Sequence, residues 1–414
     1  MKALDIFYEI CKIPHNSTNT KKLQDFIIDF AKNVGCKVSI DKANNIHLLK
    51  GSPKICLQAH YDMVLIGSEI VPFIDKGILK SRDSSLGADN GAGVAAILAL
   101  CSECKDFEAL ITNDEEIGMI GANNLDLKIK SKKILNLDSE DINEICVGCA
   151  GGFDVDIKLK PKFKKCKFKH FYQLKTLNFV GGHSGIDINK NIKNAIVELL
   201  MTINRIDCEV INLNGGEKRN SIPCNAKAII ATKYPLEIKN KDTKLPTIKI
   251  KKINKTYKNS FSKKILKEIL TLHSGVYAID CGNTIDSLNI SMIDNSILKA
   301  MARANRLDLL ERKIEMLKTK FGKNIRISGI YLPWEREDST FLKDIEKAYK
   351  KHKIDYKIIE IHAGLECGIL KQKYNIKDIF SIGPTILNPH SKQESLNLKS
   401  FEIFYKILKD LIKI

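Results

Sequence analysis

Residues 55–62 read Ile55-Cys56-Leu57-Gln58-Ala59-His60-Tyr61-Asp62, a short apolar run that stops at a histidine, with an acid two positions on. The same pattern recurs downstream. Residues 107–112 form a second apolar run ahead of Asp114-Glu115-Glu116, and residues 134–137 form a third that stops at Asp138. Between the first and second runs, residues 92–100 have the apolar content of a buried helix and follow the glycine-rich turn Gly87-Ala88-Asp89-Asn90-Gly91. Upstream, residues 23–34 carry apolar positions at helical spacing after the polar cluster Asn16-Ser17-Thr18, which reads as its cap, and residues 38–49 alternate as strands do. Short strands alternating with helices predict an α/β domain with a mostly parallel sheet and helices on both faces. In such sheets ligands bind beyond the carboxyl ends of the strands. Three predicted strands here end at a possible metal ligand, and this coincidence is the first functional signal.

From about Thr176 the texture changes. Residues 177–180 read as a strand, 191–203 as a helix, and 220–232 as a strand pair. Residues 287–293 and 296–303 alternate as strands, 307–321 as a helix, and 325–331 as a strand. This order predicts an inserted α+β lid domain. The lysine-rich stretch 236–262 reads as surface connection within it. The helix 339–352 and the strand 356–361 then return to the first texture. The expected division is a catalytic domain over 1–175 and 336–414, interrupted by a lid and dimerisation domain over 176–335.

Composition narrows the class. The 414 residues are 44% hydrophobic, which fits a globular chain of two domains. The net charge of +18 raises nucleic acid or a membrane surface as partners. The lysines, however, are spread along the whole chain, as on solvated faces. The run 249–255 has no aromatic residue for a base to stack on. The run 158–169 contains Phe163 and Phe168, but it alternates like a half-buried strand. Neither nucleic acid nor membrane is expected as a partner. No apolar run is long enough for a bilayer, and Asp5 and Glu9 interrupt the N-terminal apolar stretch, so a cytoplasmic location is expected. Twelve cysteines in a chain of this length do not make a disulfide scaffold, and they are expected to be reduced packing residues.

Six segments carry candidate chemistry. They are His60-Tyr61-Asp62, Gly87-Ala88-Asp89-Asn90-Gly91, Asn113-Asp114-Glu115-Glu116-Ile117-Gly118, Asp138-Ser139-Glu140-Asp141, Gly181-Gly182-His183-Ser184-Gly185 and Asn388-Pro389-His390-Ser391. Singly each is ordinary: adjacent glutamates are usually surface, and an Asp at a strand end often caps a helix. As an ordered set they resemble the aminoacyl-histidine dipeptidases, also called cytosolic non-specific dipeptidases, of the two-zinc family that includes carboxypeptidase G and the aminoacylases. The resemblance runs from Ile13-Pro14 to His390. Leu86-Gly87-Ala88-Asp89-Asn90-Gly91 and His362-Ala363-Gly364-Leu365-Glu366-Cys367-Gly368 point to the dipeptidase branch.

The resemblance implies two zinc ions, with manganese or cobalt able to substitute. It implies that Asp89 bridges them, with a cis peptide after it. His60 and Asp138 would complete one ion's ligands, and Glu116 and His390 the other's. It implies hydrolysis of unblocked dipeptides, of Xaa-His type or broad specificity, by water held between the ions. Glu115, beside the ligand Glu116, would be the general base. Asp62 would accept the second N–H of the His60 imidazole. His183, between glycines on the lid, would donate to the oxyanion across a homodimer. Arg303 and Asn289 match lid positions that bind the substrate carboxylate, for which a guanidinium fork is suited. His362 and Glu366 lie in a glycine-punctuated loop expected to line the site. The lid is expected to close over a small pocket and measure both substrate termini. Two rivals remain at this point. One is a tripeptidase or N-acyl-amino-acid deacylase with the same metal residues. The other is an inactive basic binding protein on the same scaffold, against which the intact ligand set argues.

Overall fold

A computed structural model gives the fold and describes residues 2–238 and 244–413. The chain divides into two compact units. The first comprises Met1–Gly148, Trp334–Glu360 and Leu365–Ile414, and the second Cys149–Pro333 and Ile361–Gly364.

The first unit is built on an eight-stranded sheet. Its strand order is Lys37–Ile40, Ile46–Lys50, Phe107–Thr112, Cys56–His60, Lys133–Asn136, Asp378–Ser381, Glu144–Cys149 and Lys357–Ile361. The four strands from Phe107–Thr112 to Asp378–Ser381 run parallel. Their register levels the strand ends, because His60 stands opposite Thr112 and Gln58 opposite Asn136. The residues that follow, Asn113–Glu116 in one loop and Asp138 in another, therefore leave the sheet at the height of His60.

Helices cover both faces. The helix Ala88–Glu103 is buried along nearly all its length, as a helix apolar on every side must be. Small residues let it lie close to the sheet: a Cβ placed on Gly93 would stand 3.2 Å from that of Ala59. The adjacent Gln58 points to the opposite face. There it bonds Glu366 at the start of the helix Glu366–Tyr374. A smaller four-stranded sheet joins Pro72–Asp75, Ile78–Ser81, Ser395–Asn397 and Ile386–Leu387, so the chain between the last two emerges as a loop carrying residues 388–394.

The second unit contains an eleven-stranded sheet. Its main path runs Thr247–Ile253, His170–Leu177, Ala226–Thr232, Cys208–Gly215, Asn283–Ile293, Ile297–Ala304, Gly151–Lys158 and Ile325–Tyr331. Its core combines inward strand residues such as Leu174, Ile230 and Leu288 with Leu199 and Leu200 of the helix Ala195–Arg205 and Leu310 and Leu317 of Leu307–Phe321.

Several expectations shift. The division between the units falls at Gly148 and Cys149, not near Thr176. The physical reason is pairing: Gly151–Lys158 lies between Ile297–Ala304 and Ile325–Tyr331, and His170–Leu177 pairs with Ala226–Thr232. The stretch 236–262 contains real sheet, since Thr247–Ile253 pairs with His170–Leu177. Residues 239–243 of that stretch lie outside the described residues. The two strands within 220–232 do not pair with each other: Ser221–Ile222 bonds Gly182–His183 instead. In the run 158–169 the sheet strand ends at Lys158, and only Lys164–Lys165 pairs again. None of the twelve cysteines is in a disulfide, and eight of them are buried. Among the described residues no helix is long and apolar enough to cross a membrane.

Candidate metal centre

Three groups of ligand atoms come within 4.8 Å of one another: His60 with Asp89 and Asp138, His60 with Glu115 and Glu116, and Asp89 with Glu116 and His390. They converge from the strand ends, the turn before the helix Ala88–Glu103, and the loop of the small sheet. Asp89 sits between two imidazoles. Its Oδ1 lies 3.2 Å from His60 Nε2 and its Oδ2 lies 3.1 Å from His390 Nε2. A further carboxylate completes each side: Asp138 Oδ1 at 3.2 Å from His60 Nε2, and Glu116 Oε1 at 2.8 Å from His390 Nε2. The peptide bond after Asp89 is cis. Asn90 anchors the turn by donating to Asp138 Oδ1 and to the Leu137 carbonyl.

The electrostatics describe a crowd of acids around two bases. Burial raises Glu115 well above the ordinary carboxylate range, and Asp138, Glu116 and Glu366 add to the rise against the pull of His60. Burial also lifts Asp138, and it lifts Glu116 to about 7 despite the bond from His390. The exception is Asp89, where burial is outweighed by hydrogen bonds from His390 and His60 and the carboxyl is held low. His390 is raised to about 11 by its bonds to Asp89 and Glu116. Burial opposes protonation of His60, but Asp138, Asp62 and Asp89 together raise it well above normal.

Asp62 does more than its spacing suggested. His60 Nδ1 lies 3.0 Å from the Asp62 carbonyl oxygen and 3.4 Å from its Oδ1. The Asp62 carboxylate also accepts the amides of Glu115 at 2.9 Å and Glu116 at 3.3 Å, and the Ser17 hydroxyl at 2.8 Å. It therefore orients both the histidine and the acidic loop. The cluster Asn16-Ser17-Thr18 serves this region and not a helix end: the Thr18 amide donates to Asp114, while the N-cap of Lys21–Asn33 is Thr20, without a side-chain cap bond. Glu366 is fully buried, its Oε2 accepting from Gln58 at 2.6 Å and Thr112 at 2.7 Å.

The other candidate residues belong to the second unit. His183 Nδ1 accepts the amides of Ile186 at 3.1 Å and Gly185 at 3.3 Å, which leaves the proton of the neutral ring on Nε2. Arg303 is buried, with Nη1 donating to the Tyr331 hydroxyl at 2.7 Å. Its Nε has no hydrogen-bond partner among the described residues. The Asn289 amide donates to the Ser221 carbonyl at 2.7 Å and to Ser291. His362 Nδ1 lies 2.6 Å from Asn305 Oδ1 and Nε2 lies 2.7 Å from the Ser287 hydroxyl. Burial, then Arg303 and Lys313, hold His362 down at about 3, so the ring is neutral.

Sequence reasoning misses Glu394. Its Oε2 accepts the amides of Leu86 at 2.8 Å and Gly87 at 2.9 Å, and its Oε1 those of Ala88 at 2.7 Å and Asp89 at 3.2 Å. The only signal in the sequence is an acid four positions after His390, with nothing to indicate its partners.

Residues 56–414 match the model of peptidase family M20/M25/M40, and the chain belongs to that family. It is 29% identical to the cytosol non-specific dipeptidase of Escherichia coli (strain K12), over 99% of this chain and 96% of that protein. Among solved structures it is similar to the aminoacylhistidine dipeptidase of Vibrio alginolyticus, with a TM-score of 0.79 and 26% identity, covering 99% of this chain and 96% of the other. A tripeptidase from Staphylococcus aureus shares the fold at a TM-score of 0.63 and 16% identity, covering 100% and 97% of the two chains.

Proposed function

We propose that this chain is a cytoplasmic metal-dependent dipeptidase that hydrolyses unblocked dipeptides with two zinc ions. The observation that carries the reading is the placement of Asp89, whose two oxygens face two different histidines, each completed by one more carboxylate. This donor set suits divalent cations: two imidazoles and three carboxylates, with Glu115 beside them raised by burial and by the neighbouring acids. His60 and Asp138 would hold one ion, Glu116 and His390 the other, and Asp89 both. Bound there, the ions would polarise the scissile carbonyl and acidify water. Manganese or cobalt would fit the same donors.

Glu115 is assigned as general base. Its carboxylate carries no hydrogen bond or ion pair among the described residues, whereas each proposed ligand carboxylate faces an imidazole. Its backbone amide is fixed by Asp62, which holds the side chain beside the ligands without making it one. Glu115 would take a proton from water and deliver it to the leaving amine. His183, with its proton on Nε2, would donate to the developing oxyanion. Arg303 would bind the substrate's terminal carboxylate through N–H groups that internal bonds leave over, and Asn289 and His362 would fix the surrounding strands. We assign the fully buried Glu366 a supporting contact to the substrate pocket through Gln58 and Thr112. The long match to the E. coli dipeptidase favours dipeptides over tripeptides or acylated amino acids. A homodimer, with His183 serving the partner's site, completes the proposal.

The test is a substrate panel on metal-stripped protein reconstituted one metal at a time. Dipeptides should be cleaved only after zinc, manganese or cobalt is returned, with tripeptides and N-acyl amino acids cleaved far more slowly. Preference for either of those two classes would move the chain to another branch of the family.

A further inference from the structure

We propose that Glu394 is the positioning residue for the bridging carboxylate: it grips the turn that presents Asp89, and both ions depend on it. The inference rests on the reading of Asp89 as a ligand. Four consecutive amides, from Leu86 to Asp89, point at one buried carboxylate 305 to 308 residues away in sequence, and each of its oxygens takes two. Backbone amides left without partners in a buried turn destabilise it, because each loses its water without gaining an acceptor. The turn therefore keeps its shape only while an anion fills it.

The chemistry of the grip is specific. Two acceptor oxygens and no donor are required, and among side chains only an ionised Asp or Glu provides them. The turn leads into the helix Ala88–Glu103, whose backbone departs from helical geometry at Asp89 and Asn90. Gly87 fits the turn itself, with φ of +71° and a Cβ position that would stand only 2.9 Å from the Met63 sulfur. Glu394 and His390 lie on the same short segment between Ile386–Leu387 and Ser395–Asn397. One segment thus supplies a ligand to one side of the centre and fixes the acid shared by both sides. No cationic side chain pairs with Glu394 among the described residues, so the amides are its main compensation. Burial and the charge of Asp89 push its pKa up, and the amides pull against them.

The experiment measures zinc binding to the stripped full-length protein by competition with a chelator, alongside near-ultraviolet circular dichroism. Glu394→Gln keeps the size but turns an NH2 towards two amides. It should weaken binding of both ions together by about 10–100-fold, as loss of a residue supporting a metal ligand does, with the dichroism unchanged. Glu394→Asp keeps both acceptors one methylene shorter and should recover part of the affinity. His390→Ala, by contrast, should weaken one ion only. Wild-type zinc affinity in folded Glu394→Gln overturns the proposal. So does loss of one ion alone. If Glu394→Gln does not fold, Glu394→Asp decides: any loss of affinity there should fall on both ions together, and loss of one ion alone overturns the proposal. Asp89→Asn separates the two levels of inference: if it keeps both ions, the reading of Asp89 fails, and if it alone loses them, only the role of Glu394 does.

Discussion

Each of the two units buries a polar cluster, and the clusters have opposite character. In the first unit, burial pushes Glu115, Glu116 and Asp138 towards protonation, and neighbouring acids add to the rise against the pull of the histidines. In the second unit, Arg303 and Lys313 are buried near a histidine that they and desolvation keep neutral. Lys313 is itself pulled down by burial, although its Nζ lies 2.7 Å from Asp286. One cluster lacks cations and the other has donors to spare. A peptide hydrolase with metal cofactors needs both kinds: a place for metal ions, and a place for the carboxylate of a small substrate. The sign of each cluster's surplus charge is the physical basis of the ligand class proposed for it.

The contrast can be tested, beginning where the effect should be greatest. Glu115→Gln should lower kcat by about 10²–10⁴-fold or more while metal content by elemental analysis stays near wild type. Loss of the metals would make Glu115 a ligand and blur its distinction from Glu116. Next, mixing inactive Glu115→Gln and His183→Ala proteins under subunit exchange should restore activity to about a quarter of wild type, because half of randomly paired dimers would carry one intact site. Continued inactivity after proven exchange would confine His183 to its own subunit's site. Third, amidating the substrate's C-terminus should raise KM by about 10–100-fold, the value of a charge-assisted bond to Arg303, and Arg303→Ala should erase the difference between the free and amidated substrates. If the mutant discriminates as well as wild type, the carboxylate is bound elsewhere.

The smallest effect is on stability. His362 has an ordinary pKa near 6.5 when unfolded and one of about 3 when folded. Between those values the unfolded chain binds a proton that the folded chain refuses. The group's contribution is thus complete above about pH 6.5 and is lost as pH falls towards 3, with a limiting slope of about 1.4 kcal/mol per pH unit. His362→Gln should flatten the acid side of the thermal midpoint against pH, relative to wild type. An unchanged difference between the two proteins from pH 7 to pH 4 would show that His362 does not carry that slope.

Much of the first cluster is legible in the amino-acid sequence. The apolar runs before His60, Glu115 and Asp138 are local patterns, and parallel strands in register bring their ends together whatever the side chains beyond. The helices 307–321 and 339–352 and the strand 325–331 follow from periodicity in the same way. Other elements depend on partners remote in sequence. Thr247–Ile253 has a lysine-rich texture that resembles a loop, and it becomes a strand because His170–Leu177 offers an open edge. The stretch 149–175 reads as continuous with the first unit, and pairing with strands remote in sequence assigns it to the second.

The sequence by itself determined the family, the ordered set of ligand and catalytic candidates, and the alternation that makes the four central strands of the first unit's sheet parallel. These are encoded in short segments, where residue type and spacing carry the information. Only the tertiary structure decided which oxygens of Asp89 face which histidine, that Asp62 holds the backbone of Glu115 and Glu116, and that Glu394 fills the turn at Leu86–Asp89. The reason is that hydrogen bonds to backbone amides leave no mark on the residues that supply them. Any residue but proline offers the same N–H, so a carboxylate's four amide partners become visible only when the chain has folded around it.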